Sequence, residues 1–104
     1  MDQVNEDSSS RVTVNLFDLA GLPAVPTAFT YRIDCMTTGT AVRGITSLTP
    51  ASSILIPLTP VDNAIQNEGD PIEVKRVTVS AQYGGAGDML NDEFNYEVRN
   101  LRFI

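Results

Sequence analysis

The chain has 104 residues, 42% of them hydrophobic, and a net charge of −6. That length holds one domain with a core of its own. The acidity excludes a broad basic face for nucleic acid and direct attachment to an anionic membrane surface. No apolar run nears the roughly 20 residues of a membrane-spanning helix.

Residues 1–10 read MDQVNEDSSS. Val4 is the only branched apolar group in them, too little to offset the entropy of ordering the segment, so the sequence predicts a flexible acidic N-terminal arm. The arm also lacks the basic and apolar regions of a signal peptide, and the expectation is a protein made in the cytoplasm. From Arg11 the pattern changes. Val12, Val14 and Leu16 alternate with Thr13, Asn15 and Phe17, as in a strand with one apolar face. Gly21, Pro23 and Pro26 break it. In the next strand, Thr27 to Met36, Phe29, Tyr31, Ile33 and Cys35 point inward and Thr30, Arg32 and Asp34 outward. A turn at Thr37 to Thr40 leads to a weaker strand, Ala41 to Ser47, in which Gly44 predicts a bulge or a sheet edge. Ser53 to Leu58 is short and apolar, and Pro57, lacking an N–H, assigns it to an edge.

The polar stretch Thr59 to Pro71 is long enough to cross between sheets and has room for one helical turn around Val61 to Gln66. Two longer strands follow. In the first the apolar phase slips between Val74 and Val77, which predicts a bulge at Lys75-Arg76. A glycine-rich hairpin loop, Gly84-Gly-Ala-Gly87, leads to the second, Glu93 to Ile104. There Phe94, Tyr96 and Val98 share a face with Asn100, while Leu101 and Phe103 take the other phase. The expected fold is all-β: a single antiparallel β-sandwich of about seven strands over residues 11–104, preceded by the arm.

The strand order and the segment Val77-Thr-Val-Ser-Ala-Gln-Tyr-Gly-Gly85 resemble fibronectin type III and related immunoglobulin-like modules. In that family the penultimate strand alternates apolar residues and opens into a glycine-containing loop before the last strand. The chain departs from the family in having no Trp and no cysteine pair; the resemblance implies that Tyr31 or Phe29 fills the indole's volume. The Thr/Ala-rich composition and the acidic arm also resemble small virion proteins of tailed bacteriophages, many of which use such sandwiches.

Residues with chemical potential are few. Histidine is absent, so the usual general base at neutral pH is missing. Cys35 is in phase with Phe29, Tyr31 and Ile33, as a buried thiol would be. Ser8, Ser9 and Ser10 lie in the arm, where no nucleophile is preorganised. Asp92, Glu93 and Glu97 read as a solvated strand face rather than a carboxylate pair, since Phe94 and Tyr96 alternate with them. Asp62, Asn63, Asn67, Glu68 and Asp70 supply oxygen donors without the spacing of a calcium loop, and Asp88, Asn91 and Asp92 do the same. Gly84 to Gly87 precede a strand, whereas phosphate cradles need a helix N-terminus. No catalytic residue, metal ligand or cofactor is expected.

The basic residues are Arg11, Arg32, Arg43, Arg76, Arg99 and Arg102 with a lone Lys75. Arginine suits protein interfaces, because its planar fork pairs well and is weakly hydrated. Phe17, Leu101 and Phe103 extend apolar surface beyond one core face. The expected function is therefore a non-enzymatic structural or interaction protein, a bacteriophage virion component such as a capsid decoration protein, located in the virion or otherwise in the cytoplasm. Its partners are other subunits of a larger assembly, capsid or tail protein, or further copies of itself. Val4, Arg99, Leu101, Arg102 and Phe103 are the candidate partner-binding residues, with the arm docking on another chain. The alternative is a ligand-binding or adhesion module that uses the sandwich loops.

Overall fold

Alternating side chains sort the chain into two β-sheets. The computed structural model describes residues 2–17, 21–83 and 88–103, with only the backbone of Asp88 and Phe103. The glycine loop 84–87 therefore lies outside the described residues. The strands are β1 (Asp2–Asn5), β2 (Ser10–Asn15), β3 (Ala28–Cys35), β4 (Thr40–Leu48), β5 (Ser53–Leu58), β6 (Ile72–Tyr83) and β7 (Asp88–Arg99), followed by a short 3-10 turn, Leu101–Phe103. One sheet has five strands in the order β1-β7-β6-β3-β4, and the other pairs β2 with β5. All neighbours are antiparallel except β1, which runs parallel to β7.

The two sheets bury their facing residues in one core. Leu16, Ile54, Ile56 and Leu58 come from the β2-β5 side, and Phe29, Tyr31, Ile33, Val77, Val79, Ala81, Tyr96 and Val98 from the five-stranded sheet. Cys35 is buried in phase with them, as its spacing predicts. The outward positions of β3, β6 and β7 are polar and carry the ion pairs Arg32–Asp34 and Arg76–Glu93. Gly39, at φ 72°, closes the β3-β4 turn, where its N–H donates to the Cys35 carbonyl. The register of β3 with β4 shifts between Tyr31 and Asp34, so β4 is both irregular and an edge, as Gly44 foretold. Among the described residues β5 also has one neighbour only, which accommodates Pro57. Thr59 to Pro71 crosses between the sheets and holds one hydrogen-bonded turn, with Asn63 N–H donating to Thr59 O and Ala64 N–H to Val61 O.

Three expectations fail. Residues 2–10 are not a separate arm: β1 extends the larger sheet along Tyr96–Arg99, and Ser10 opens β2. Backbone hydrogen bonds, which the residue pattern does not reveal, hold this segment; Glu6 N–H donates to Arg99 O and Asp7 N–H to Asn63 O. There is no bulge at Lys75-Arg76 either. β6 pairs with β7 in unbroken register from Ile72 to Tyr83, and Glu73 and Lys75 occupy inward positions. Lastly, β7 starts at Asp88 and stops at Arg99, because Asn100 turns the chain: its N–H donates to Pro71 O and its side-chain amide to the carbonyls of Glu68 and Asp70.

Candidate interaction surface

At one end of the sandwich the core is polar. Strict alternation along β6 carries the inward row from Ala81 back through Val79 and Val77 to Lys75 and Glu73, both fully buried. Buried charge is tolerated only when its hydrogen-bonding capacity is met. The Lys75 ammonium donates to the carbonyls of Asp62, at 3.0 Å, and Ala64. The Glu73 carboxylate accepts from the N–H groups of Gln66, at 2.7 Å, and Asn67, at 2.8 Å. Asp62 accepts a bidentate pair from Arg43, at 2.9 and 3.2 Å, and the Thr59 N–H. Thr59 Oγ1 in turn accepts from Asp62 N–H, a reciprocal cap spaced like the capping box of a helix.

Asn63 links this cluster to the chain's beginning. Its amide donates to Ser8 O and Ser10 Oγ, and its Oδ1 accepts from Tyr96 Oη at 2.9 Å. Burial pushes the Lys75 ammonium below its ordinary value and the Tyr96 phenol well above its own. The hydrogen bond with Asp62 raises the Arg43 guanidinium. A lysine of lowered pKa is a base in many active sites, but here Lys75 is bound to two backbone carbonyls and closed off from solvent. The cluster acts as a staple that fixes the crossover and the β1-β2 connection to the core.

Most of the oxygen donors considered for calcium are engaged separately. Asp62 and Asn63 belong to the staple, Asn67 Oδ1 accepts from Gly69 N–H, and Glu68 lies 3.9 Å from Arg102. Asp92 Oδ1 accepts from the Glu93 N–H, while the Asp88 side chain is outside the described residues. No group of three or more His, Cys, Asp or Glu converges on a point among the described residues. No helix in the described residues is long and apolar enough to cross a membrane.

The candidate partner residues gather at this same end. Val4 faces inward against the core of its own chain, so it anchors β1 in place; that corrects its reading as an anchor for a neighbour. Arg99 is exposed and pairs with Asn5 and Ile72 in the ladder. Leu101 is exposed, with its N–H held by Glu6 Oε1. Arg102 is exposed; its guanidinium lies 3.9 Å from Glu68, and its N–H donates to Asn100 Oδ1. The side chain of Phe103 lies outside the described residues.

A surface that the residue pattern did not single out opens along β7. β1 covers β7 only from Tyr96 to Arg99, and the outer edge of Asp88–Asn95 has no strand beside it among the described residues. Next to that edge the sheets do not close. A cleft of about 240 Å³ runs between β2 and the β6-β7 hairpin, lined by Val12, Val14, Val77, Val79 and Phe94, with Asp92 and Glu93 at its rim. Asp92 stands in the inward phase, between Leu90 and Phe94 and across from Val79, yet it is exposed, with no described residue covering it. A carboxylate in an apolar row was the available signal. Comparison with protein-family models, curated proteins and solved structures gives no match.

Proposed function

We infer that the chain is a non-enzymatic interaction protein of a larger assembly, built on an immunoglobulin-like sandwich and serving as a bacteriophage virion component such as a capsid decoration protein. The sandwich assignment draws on strand order. β7-β6-β3-β4 follow the G-F-C-C′ order of such modules, and β2-β5 stand where B and E pair. Phe29 and Tyr31 are buried on β3, the strand that carries the indole in the family. The observation that carries the functional reading is the open seam, a free β-edge beside an apolar cleft. Free edges attract strands from other chains, and proteins that do not use them blunt or cover them. The staple supports the same reading, because it spends the buried polar groups on rigidity.

Quantitative mass spectrometry of density-purified phage particles tests this function. The chain at a fixed molar ratio to the shell protein supports it. Recovery only from the unassembled fraction contradicts it.

A further inference from the structure

The seam combines three features. Among the described residues the ladder edge of β7 is free from Asp88 to Asn95, directly in line with its pairing to β1. The cleft beside it is floored by Val77, Val79 and Phe94. The exposed carboxylates of Asp92 and Glu93 line it too, and among the described residues Glu93 has a cation in reach, Arg76 at 3.3 Å, and Asp92 has none. A volume of about 240 Å³ falls short of the roughly 300–1,000 Å³ of small-molecule pockets. It suits a few aliphatic side chains projecting from an added strand.

Resting on the interaction reading above, we propose that the β7 edge receives an extended segment of a partner protein. The segment prolongs the larger sheet beyond β1, places alternate aliphatic side chains in the cleft, and brings lysine or arginine to Glu93 on the outward face, while a basic residue at the end of the segment reaches the inward-phase Asp92 at the cleft mouth. Main-chain bonds along the edge supply affinity, and the alternating side chains supply selection. Charge decides between occupants. A second copy docking edge to edge would set the acidic rims of two chains, each of net charge −6, against one another, and like charges across strands are destabilising. A basic partner strand meets no such cost, and its encounter is accelerated by the opposite field.

The test titrates the isotope-labelled full chain with a synthetic octapeptide of alternating valine and lysine, with a valine-glutamate octapeptide as control, and follows amide shifts by NMR. The lysine peptide is expected to saturate, to shift amides of Val12–Asn15 and Leu90–Asn95, and to weaken as salt rises. The Asp92→Asn, Glu93→Gln double variant, both sites being exposed, should keep the parent melting temperature and bind at least about tenfold more weakly. Equal binding of both peptides, no binding of either, or shifts centred on β4 would overturn the proposal. Self-association of the free chain through Leu90–Asn95 would overturn it in favour of a second copy. Particle association measured separately keeps the functional reading distinct: a chain that joins particles but ignores the lysine peptide leaves that reading standing and removes the edge assignment.

Discussion

At the scale of single residues, the staple is the part of the molecule least visible in the sequence. Glu73 and Lys75 keep the same alternation as Val77, Val79 and Ala81. Charged residues are so seldom buried that the phase reads as a bulge instead. What reverses that reading is the crossover loop, whose carbonyls and N–H groups meet both charges, and no local pattern announces such a tertiary arrangement. Lys75→Met should lower stability by about 1–3 kcal/mol, since it leaves the buried carbonyls of Asp62 and Ala64 without their donor; urea unfolding measures it. The pH dependence has a sign. Because the folded Lys75 titrates below the ordinary 10.5, its native state releases a proton first, so stability rises with pH through the window that ends at 10.5. The Met variant should lose that rise. Tyr96 acts in the opposite sense: its raised folded value holds the proton that the unfolded chain gives up above 10.0, so stability falls from there upward. Tyr96→Phe should flatten that fall and cost about 1–3 kcal/mol at neutral pH for the orphaned Asn63 acceptor.

At the scale of elements, the periodic strands were legible and the segments governed by backbone bonding were not. Phe29, Tyr31, Ile33 and Cys35 declare the inward face of β3 by their spacing alone, and Ser53–Leu58 matches β5 end to end. β1 has no apolar period to read, only Val4, and owes its place to ladder bonds and to Glu6, Asp7 and Ser8 docking behind it. Removing residues 1–5 should therefore lower stability by about 2 kcal/mol, for a few net hydrogen bonds and part of a valine. In a domain of this size that shifts the melting temperature by roughly 10 °C. A thermal melt unchanged by the truncation would show that β1 is not held as described. The crossover Thr59 to Pro71 makes a matching case for metal. The side-chain oxygens of Asp62, Asn63 and Asn67 are bound to Arg43, Thr59, Tyr96 and Gly69, so excess chelator should leave the melting temperature where it is. A fall on chelation, restored by calcium, would contradict that account.

For the whole molecule, one end of the sandwich is stapled shut and one side is left open. The larger sheet ends in a short parallel strand that covers a third of β7, and the smaller sheet leaves a cleft over Val77, Val79 and Phe94. The sequence disclosed two facing apolar sets but not this opening, because closure depends on how far the β2-β5 pair reaches across the larger sheet. Among the described residues the β7 edge is free from Asp88 to Asn95, and amide hydrogen exchange on the dilute full chain reads that edge residue by residue. Within Glu97–Arg99 successive amides should be protected alike, one set by β6 and the other by β1. Within Asn91–Asn95 protection should alternate, with the amides facing away from β6 exchanging nearly as fast as in an unfolded chain. Uniform protection from Asn91 through Arg99 would mean that the edge is already covered, and the open seam would not exist.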